Sequence, residues 1–258
     1  MQGYVAIYGG SFDPPHKGHS EIIRTLCENV LYTHIILMPN FKNPLKTPPL
    51  FAPLQRLQMC EKIAKEYNAQ YPPLSSSSLA SLPRVSVNDY EIRQNRAVYS
   101  VESVREIQNE LKAKYADMCR DMKYAFVLGS DSFNQLARWH NPQELCEMVD
   151  FVVVHRVDLE SSPESTLESS SCVDSKKSGD MKKRASAVHN ADSESAAYSS
   201  LALHSHFAPH VIENLHLQDF SALSSSAVRT LLHSGDINSA LMMMPPCIHS
   251  IIKAYFRL

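Results

Sequence analysis

Glycine is scarce in this chain, with seven residues in 258. A backbone so short of its most permissive residue has few places to turn sharply or to let a ligand approach closely. Neither sign of charge dominates. With 25 Lys and Arg against 27 Asp and Glu, the net charge is −2, which excludes the broad basic face that nucleic acid or an anionic membrane would require. Any anion must be bound locally. Apolar runs such as Phe151-Val152-Val153-Val154 are far too short to span a bilayer, and the start of the chain lacks the charged and apolar regions of a signal peptide. The six cysteines at 27, 60, 119, 146, 172 and 247 form no Cys-x-x-Cys pair, so a zinc site or a dense disulfide framework has no support. Reduced thiols in a soluble cytoplasmic protein are the expectation.

What is present is concentrated near the beginning. Gly9, Gly10 and Gly18 share the stretch Gly9-Gly10-Ser11-Phe12-Asp13-Pro14-Pro15-His16-Lys17-Gly18-His19. Ahead of it, Tyr4-Val5-Ala6-Ile7-Tyr8 reads as a buried strand; behind it, Ser20 to Leu31 carries Ile22, Ile23, Leu26 and Val30 at helical spacing. Strand, tight loop and helix form an order with a chemical use, because the first turn of a helix presents main-chain N–H groups and a partial positive charge. Phosphate suits that place. His16 and His19 are three apart, so on a helix already begun they share one face. A Gly/Pro turn with two solvated histidines is the plain alternative, and the glycines, the Asp13-Pro14 stop and the strand-to-helix setting together weigh against it.

These eleven residues resemble the His-x-Gly-His signature of the nucleotidyltransferase superfamily, which holds adenylyl- and cytidylyltransferases and is related in fold to class I aminoacyl-tRNA synthetases. The resemblance implies an α/β fold with a Rossmann-like parallel sheet of five or six strands and helices on both faces. It extends along the chain toward the bacterial nicotinate-nucleotide adenylyltransferases. Asn40, Pro44 and Lys46 fit their Asn-x-x-x-Pro-x-Lys loop, and Arg56 matches an arginine common there. Asp89 and Glu91 fit Asp-x-Glu, and Tyr99 fits the tyrosine of Ser-Tyr-Thr-x-x-Thr, where this chain has Val98, Ser100 and Ser103 in place of the serine and both threonines. Gly129, Asp131 and Trp139 follow the family's Gly-x-Asp with Trp. Leu223-Ser224-Ser225-Ser226 with Arg229 follows Ile-Ser-Ser-Thr-x-x-Arg.

Local pattern adds strands at Thr33–Met38, Arg84–Asn88, Lys123–Gly129, Phe151–Val154 and Val211–Phe220. Helices are expected from Pro53 to Tyr67, with Leu54, Leu57, Met59, Ile63 and Ala64 as the apolar side, and from Val98 to about Tyr115. Another starts after Leu223, with Leu231 and Leu232 inward and Gly235 closing it, and the last spans Pro245 to Phe256. A single domain, 1–258, is expected, interrupted by exposed insertions at about 69–83 and 158–206. The second insertion has 13 serines between 161 and 200 and too few apolar residues to pack, so it reads as disordered. His204, His206 and His210 lack the carboxylate or thiol company of a metal site.

The resemblance assigns roles to particular residues. ATP would lie against Gly9, Gly10, Ser11, Phe12, His16, Gly18 and His19 on one side and Ser224, Ser225, Ser226 and Arg229 on the other. His16, His19, Lys46 and Arg229 would serve the chemistry, and Tyr99, Ser100, Gly129, Asp131 and Trp139 would hold the pyridine mononucleotide. Read without the resemblance, Asp131 and the serines fit helix caps and Tyr99 and Trp139 fit packed aromatics. The implied reaction moves the adenylyl group of ATP to nicotinate mononucleotide, giving deamido-NAD and pyrophosphate. Its nucleophile is a phosphate monoester with a second pKa of about 6, already ionised, so the histidines are expected to donate hydrogen bonds rather than to act as bases. Mg²⁺ is expected to come with ATP, without a dedicated protein site. Partners are then ATP and nicotinate mononucleotide, with no nucleic acid and no membrane, and a homo-oligomer is left open. Another adenylyl- or cytidylyltransferase, or a nucleotide-binding regulator without turnover, are the alternative readings.

Overall fold

A computed structural model describes residues 3–43, 47–74, 82–115, 122–156, 207–217 and 223–257. Among them run six strands, β1 (Tyr4–Gly10), β2 (Tyr32–Pro39), β3 (Val85–Val87), β4 (Lys123–Gly129), β5 (Asp150–Arg156) and β6 (Val211–Leu217). They form one sheet in the order β3-β2-β1-β4-β5-β6, and every neighbouring pair is parallel. Parallel strands are covered on both faces and so are written as continuous apolar runs. Successive side chains alternate between the faces. Ala6, Tyr8, Ile35, Leu37, Val152 and Val154 join one core, and Val5, Ile7, Ile36, Phe126, Phe151 and Val153 join the other.

Helices α1 (Lys17–Glu28) and α2 (Pro53–Gln70) contribute to the first core, and α4 (Ser100–Lys114) and α6 (Pro142–Met148) to the second. Between them in sequence lie α3 (Tyr90–Gln94) and α5 (Ser130–Phe133). The chain closes with α7 (Ser225–His233), α8 (Ile237–Met242) and α9 (His249–Phe256). The strand order reverses between β1 and β4, so the loops leaving their carboxyl ends diverge and open a crevice, the place where such sheets take ligands. Among the described residues no helix is long and apolar enough to cross a membrane. Cys27, Cys60, Cys146 and Cys247 are free thiols.

Several boundaries differ from the expectation. α1 starts at Lys17, not Ser20, because His16 caps it, and it ends before Val30, which is 75% exposed outside the helix. Leu54 is likewise exposed on α2. That helix continues to Gln70, so its last residues occupy the start of the expected insertion at 69–83, and Leu82 at the other end is buried in the second core. Gly235 does close α7: at φ +83° it takes the left-handed conformation, with N–H bonds from Gly235 to Leu232 and from Asp236 to Leu231 in the manner of a Schellman end. The expected closing helix is instead a 3-10 turn, Pro246–Ile248, followed by α9. Pro44, Lys46, residues 75–81, Cys119, the insertion at 158–206 with Cys172, His204 and His206, and residues 218–222 lie outside the described residues.

Candidate active site

The opening loop is a histidine-built helix start. His16 is the N-cap of α1; its Nδ1 accepts the Gly18 N–H at 3.2 Å, and the His16 N–H is in turn donated to Nδ1 of His19 at 3.1 Å. The two rings thus fill the reciprocal roles that Ser and Glu fill in an ordinary capping box. This fixes their chemistry. A neutral ring whose Nδ1 accepts a main-chain N–H carries its proton on Nε2, so both histidines present Nε2–H as a donor. Their centroids are 3.9 Å apart, with His16 buried and His19 half-buried. The glycines before them answer to packing: a Cβ on Gly9 would meet Met38 and Phe126 at 3.2 Å, and one on Gly10 would meet the Phe12 ring at 3.1 Å.

The second helix start is joined to this loop. Arg229 Nη1 donates to the Asp13 carbonyl at 2.8 Å and lies 3.4 Å from its carboxylate, and the Ser225 hydroxyl donates to the Pro14 carbonyl at 3.1 Å. Ser224 caps α7 by accepting the Ala227 N–H, and Ser226 accepts from Arg229. Each of the three serines therefore has a protein partner. Asp13, fully buried, also accepts the N–H groups of Leu50 and Phe51 at 2.9 and 2.8 Å, tying down the end of the loop that follows β2. Its structural role was not foreseen, although it stands in the signature.

Arg56 is completely buried. It donates to the carbonyls of Ser11 at 2.6 Å, Phe41 at 2.8 Å and Phe51 at 3.2 Å. Asn40 bonds Ser11 through its amide at 3.3 Å and Gly10 through its main chain at 3.0 Å. Across the crevice, Tyr99 caps α4 and is exposed, its ring stacked on His140 with centroids 4.1 Å apart. Ser100 opens that helix. Trp139 is half-buried at the rim of the second core, edge-on to Phe126 at 6.1 Å. Phe126 is the ring that crowds Gly9, so the phosphate loop and the tryptophan share one neighbour. Gly129 faces open space and Asp131 is exposed in the first turn of α5. The pairing of Tyr99 with His140 was not anticipated; the only hint in the sequence is that His140 adjoins the single tryptophan.

The cytidylyltransferase-like family model matches residues 7–231. A Helicobacter hepaticus protein named "Probable nicotinate-nucleotide adenylyltransferase" is 40% identical over 100% of this chain and 98% of its own length. The chain belongs to the nicotinate-nucleotide adenylyltransferase family. A family member from Nitratiruptor is 37% identical over 59% of this chain and 73% of its own length. The fold is shared with the Plasmodium falciparum nicotinic acid mononucleotide adenylyltransferase complexed with NaAD, at a TM-score of 0.58 and 16% identity over 98% of this chain and 96% of that one.

For a family whose substrates are anionic, the local electrostatics are set by commitment rather than by excess charge. Burial pushes the Glu91 carboxyl up, against the opposing pull of Ser103, the Phe41 N–H and Arg56. Burial likewise draws Arg56 down, with Asp13 and then Cys60 and Glu91 opposing. Among the described residues no group of three or more His, Cys, Asp or Glu side chains is placed to hold a metal.

Proposed function

We propose that this enzyme transfers the adenylyl group of ATP to nicotinate mononucleotide in the cytoplasm, releasing pyrophosphate and deamido-NAD. A phosphate oxygen of the mononucleotide forms a bond to the α-phosphorus; the bond from that phosphorus to the bridging oxygen breaks, and its electron pair leaves with pyrophosphate. What carries the reading is the joint of Arg229 and Ser225 with Asp13 and Pro14. It brings two helix starts together at the carboxyl end of β1, across the crevice from Trp139.

In this reading the Nε2–H groups of His16 and His19 donate to the triphosphate and to the charge that builds on the leaving group. Arg229 is held beside them, exchanging part of its contact with Asp13 for phosphate. Lys46 joins them on the strength of the resemblance. Gly9, Gly10, Ser11, Phe12 and Gly18, with Ser224 to Ser226, line the ATP side. Tyr99, Ser100, Gly129, Asp131 and Trp139 take the mononucleotide, the indole face against the electron-poor pyridinium. Mg²⁺ would arrive on the triphosphate, held by phosphate oxygens and water and neutralising charge during transfer. Supporting that, the loop carboxylate Asp13 is already committed to two N–H groups and Arg229.

The test is pyrophosphate release from ATP with nicotinate mononucleotide, with nicotinamide mononucleotide and with CTP in place of ATP. Rapid release only with ATP and the acid is expected. No release with any pair, from a protein that still binds ATP, would favour a regulator that has lost turnover.

A further inference from the structure

The crevice has two walls, and one buried residue pair joins them. Phe41 begins the loop after β2, and its peptide groups are gripped from both sides: the Phe41 N–H is accepted by Glu91 on α3, and the Phe41 carbonyl accepts Arg56 Nη2 at 2.8 Å. Arg56 also holds Ser11 of the phosphate loop through its carbonyl at 2.6 Å. Glu91 in turn accepts the Ser103 hydroxyl at 2.8 Å, one turn into the helix whose start carries Tyr99 and Ser100. Glu91 is 4% exposed and Arg56 is 0% exposed.

Burying a charged side chain is costly even when it is hydrogen-bonded. Stability alone therefore gives weak reason for Arg56 and Glu91. Their partners give a better one. The guanidinium fork reaches three separate loop carbonyls, at Ser11, Phe41 and Phe51, and the carboxylate reaches the N–H of the same Phe41 and a hydroxyl on the opposite wall. We infer that Glu91 is a positioning residue for adenylyl transfer: through the Phe41 peptide and Arg56 it sets the distance between the phosphate loop and the amino end of α4. In-line attack depends on that distance, since a shift of about 1 Å can cost two orders of magnitude in rate. Glu91 touches neither substrate. The hydroxyl at 103 is what the chain retains where the family pattern has threonine, and this contact accounts for it.

This inference rests on the adenylyl-transfer reading, and turnover by the unaltered enzyme tests that reading separately. Glu91→Gln replaces one of the two acceptor oxygens with an amide donor while keeping the shape of the side chain. The full chain carrying it is expected to keep its near-ultraviolet circular dichroism. Dissociation constants for nicotinate mononucleotide alone and for a non-hydrolysable ATP analogue alone should stay within about threefold, while kcat falls at least about tenfold. Ser103→Ala, a milder change that leaves the carboxyl in place, is expected to lower kcat about threefold with the same unchanged affinities and to decide the matter if Glu91→Gln does not fold. Unchanged kcat in the folded variant overturns the inference. So does a loss of kcat matched by an equal loss of both separate affinities, which is the mark of a merely structural role.

Discussion

Each of the two histidine rings in the opening loop accepts a main-chain N–H at Nδ1, and that use can be separated from any role of Nε2. Nδ1 of His19 accepts the His16 N–H, a capping bond of the kind worth about 1 kcal/mol. In the neutral ring Nε2–H is then the donor. Asparagine places its carbonyl oxygen near the Nδ1 position and offers nothing at the Nε2 position, whereas glutamine reaches further but leaves the cap unmade. His19→Asn should therefore hold its urea midpoint close to that of the unaltered enzyme while kcat falls about 10²- to 10³-fold, the usual cost of one lost donor to developing charge. His19→Gln should do the reverse in part, losing about 1 kcal/mol of stability and keeping more of the turnover. If the asparagine variant turns over normally, Nε2 is not a donor in the reaction. Trp139→Ala is expected to raise KM for the mononucleotide about two- to tenfold, in line with the roughly 0.5–1.5 kcal/mol of an aromatic stack, leaving KM for ATP unchanged; a change confined to ATP would remove the tryptophan from the pyridine site.

Between elements, the buried polar groups of β2 and β3 decide how stability responds to acid. His34 is buried on β2. Its Nδ1–H donates to the Pro83 carbonyl at 2.6 Å, and its Nε2 accepts the Ser86 hydroxyl at 2.9 Å. The neutral ring is thus satisfied at both nitrogens, and burial, aided by Arg84, holds its pKa down to about 4 against an ordinary 6.5. Between those values the unfolded chain takes up a proton and the folded one does not, so stability falls as pH falls through that window and is unaffected above it. The loss approaches about 3 kcal/mol near pH 4. Urea midpoints at pH 7 and pH 5 should diverge more for the unaltered enzyme than for His34→Gln, and parallel shifts would show that His34 is not the group titrating.

The strands and the arginines beside them differ in what the sequence reveals. The apolar runs at Tyr4–Tyr8, Thr33–Met38 and Phe151–Val154 announce buried parallel strands because periodicity is a local property. So does the glycine-rich loop between β1 and α1. Arg84 announces nothing: it is buried and caps the end of α1 by donating to the carbonyl of Cys27 at 2.6 Å and to that of Tyr32. Its partners lie more than fifty residues away and are main-chain atoms, which carry no residue identity to read. Arg56 stands out in the sequence only through the resemblance, because its partners, the carbonyls of Ser11, Phe41 and Phe51, are also main-chain atoms. α1 starts earlier than its apolar spacing suggests because histidine is an unusual cap, and Val30 and Leu54 fit a helix face by spacing yet are exposed, since an apolar residue at the right spacing need not be buried.

At the scale of the whole molecule, the connection from β5 to β6 limits how far the chain can be shortened. The strands are parallel neighbours, so the chain must return from Arg156 at one end of the sheet to Val211 at the other. Seven residues of strand span about 23 Å, and a parallel crossover takes about a dozen residues. Phe207 is buried in the second core and anchors the end of that return, so any cut must stop before it. The stretch between is long and serine-rich, and the Nitratiruptor relative aligns over only 59% of this chain while using 73% of its own. Removing residues 161–198 leaves 157–160 and 199–206 for the crossover. That shortened chain should turn over within about twofold of the full one, and its Tm should move by no more than the roughly 2–4 °C that about 1 kcal/mol produces in a domain of this size. A folded, shortened protein with turnover lost would assign the serine-rich segment a part in the site; a protein that no longer folds would mean that the crossover needs more than its bare length.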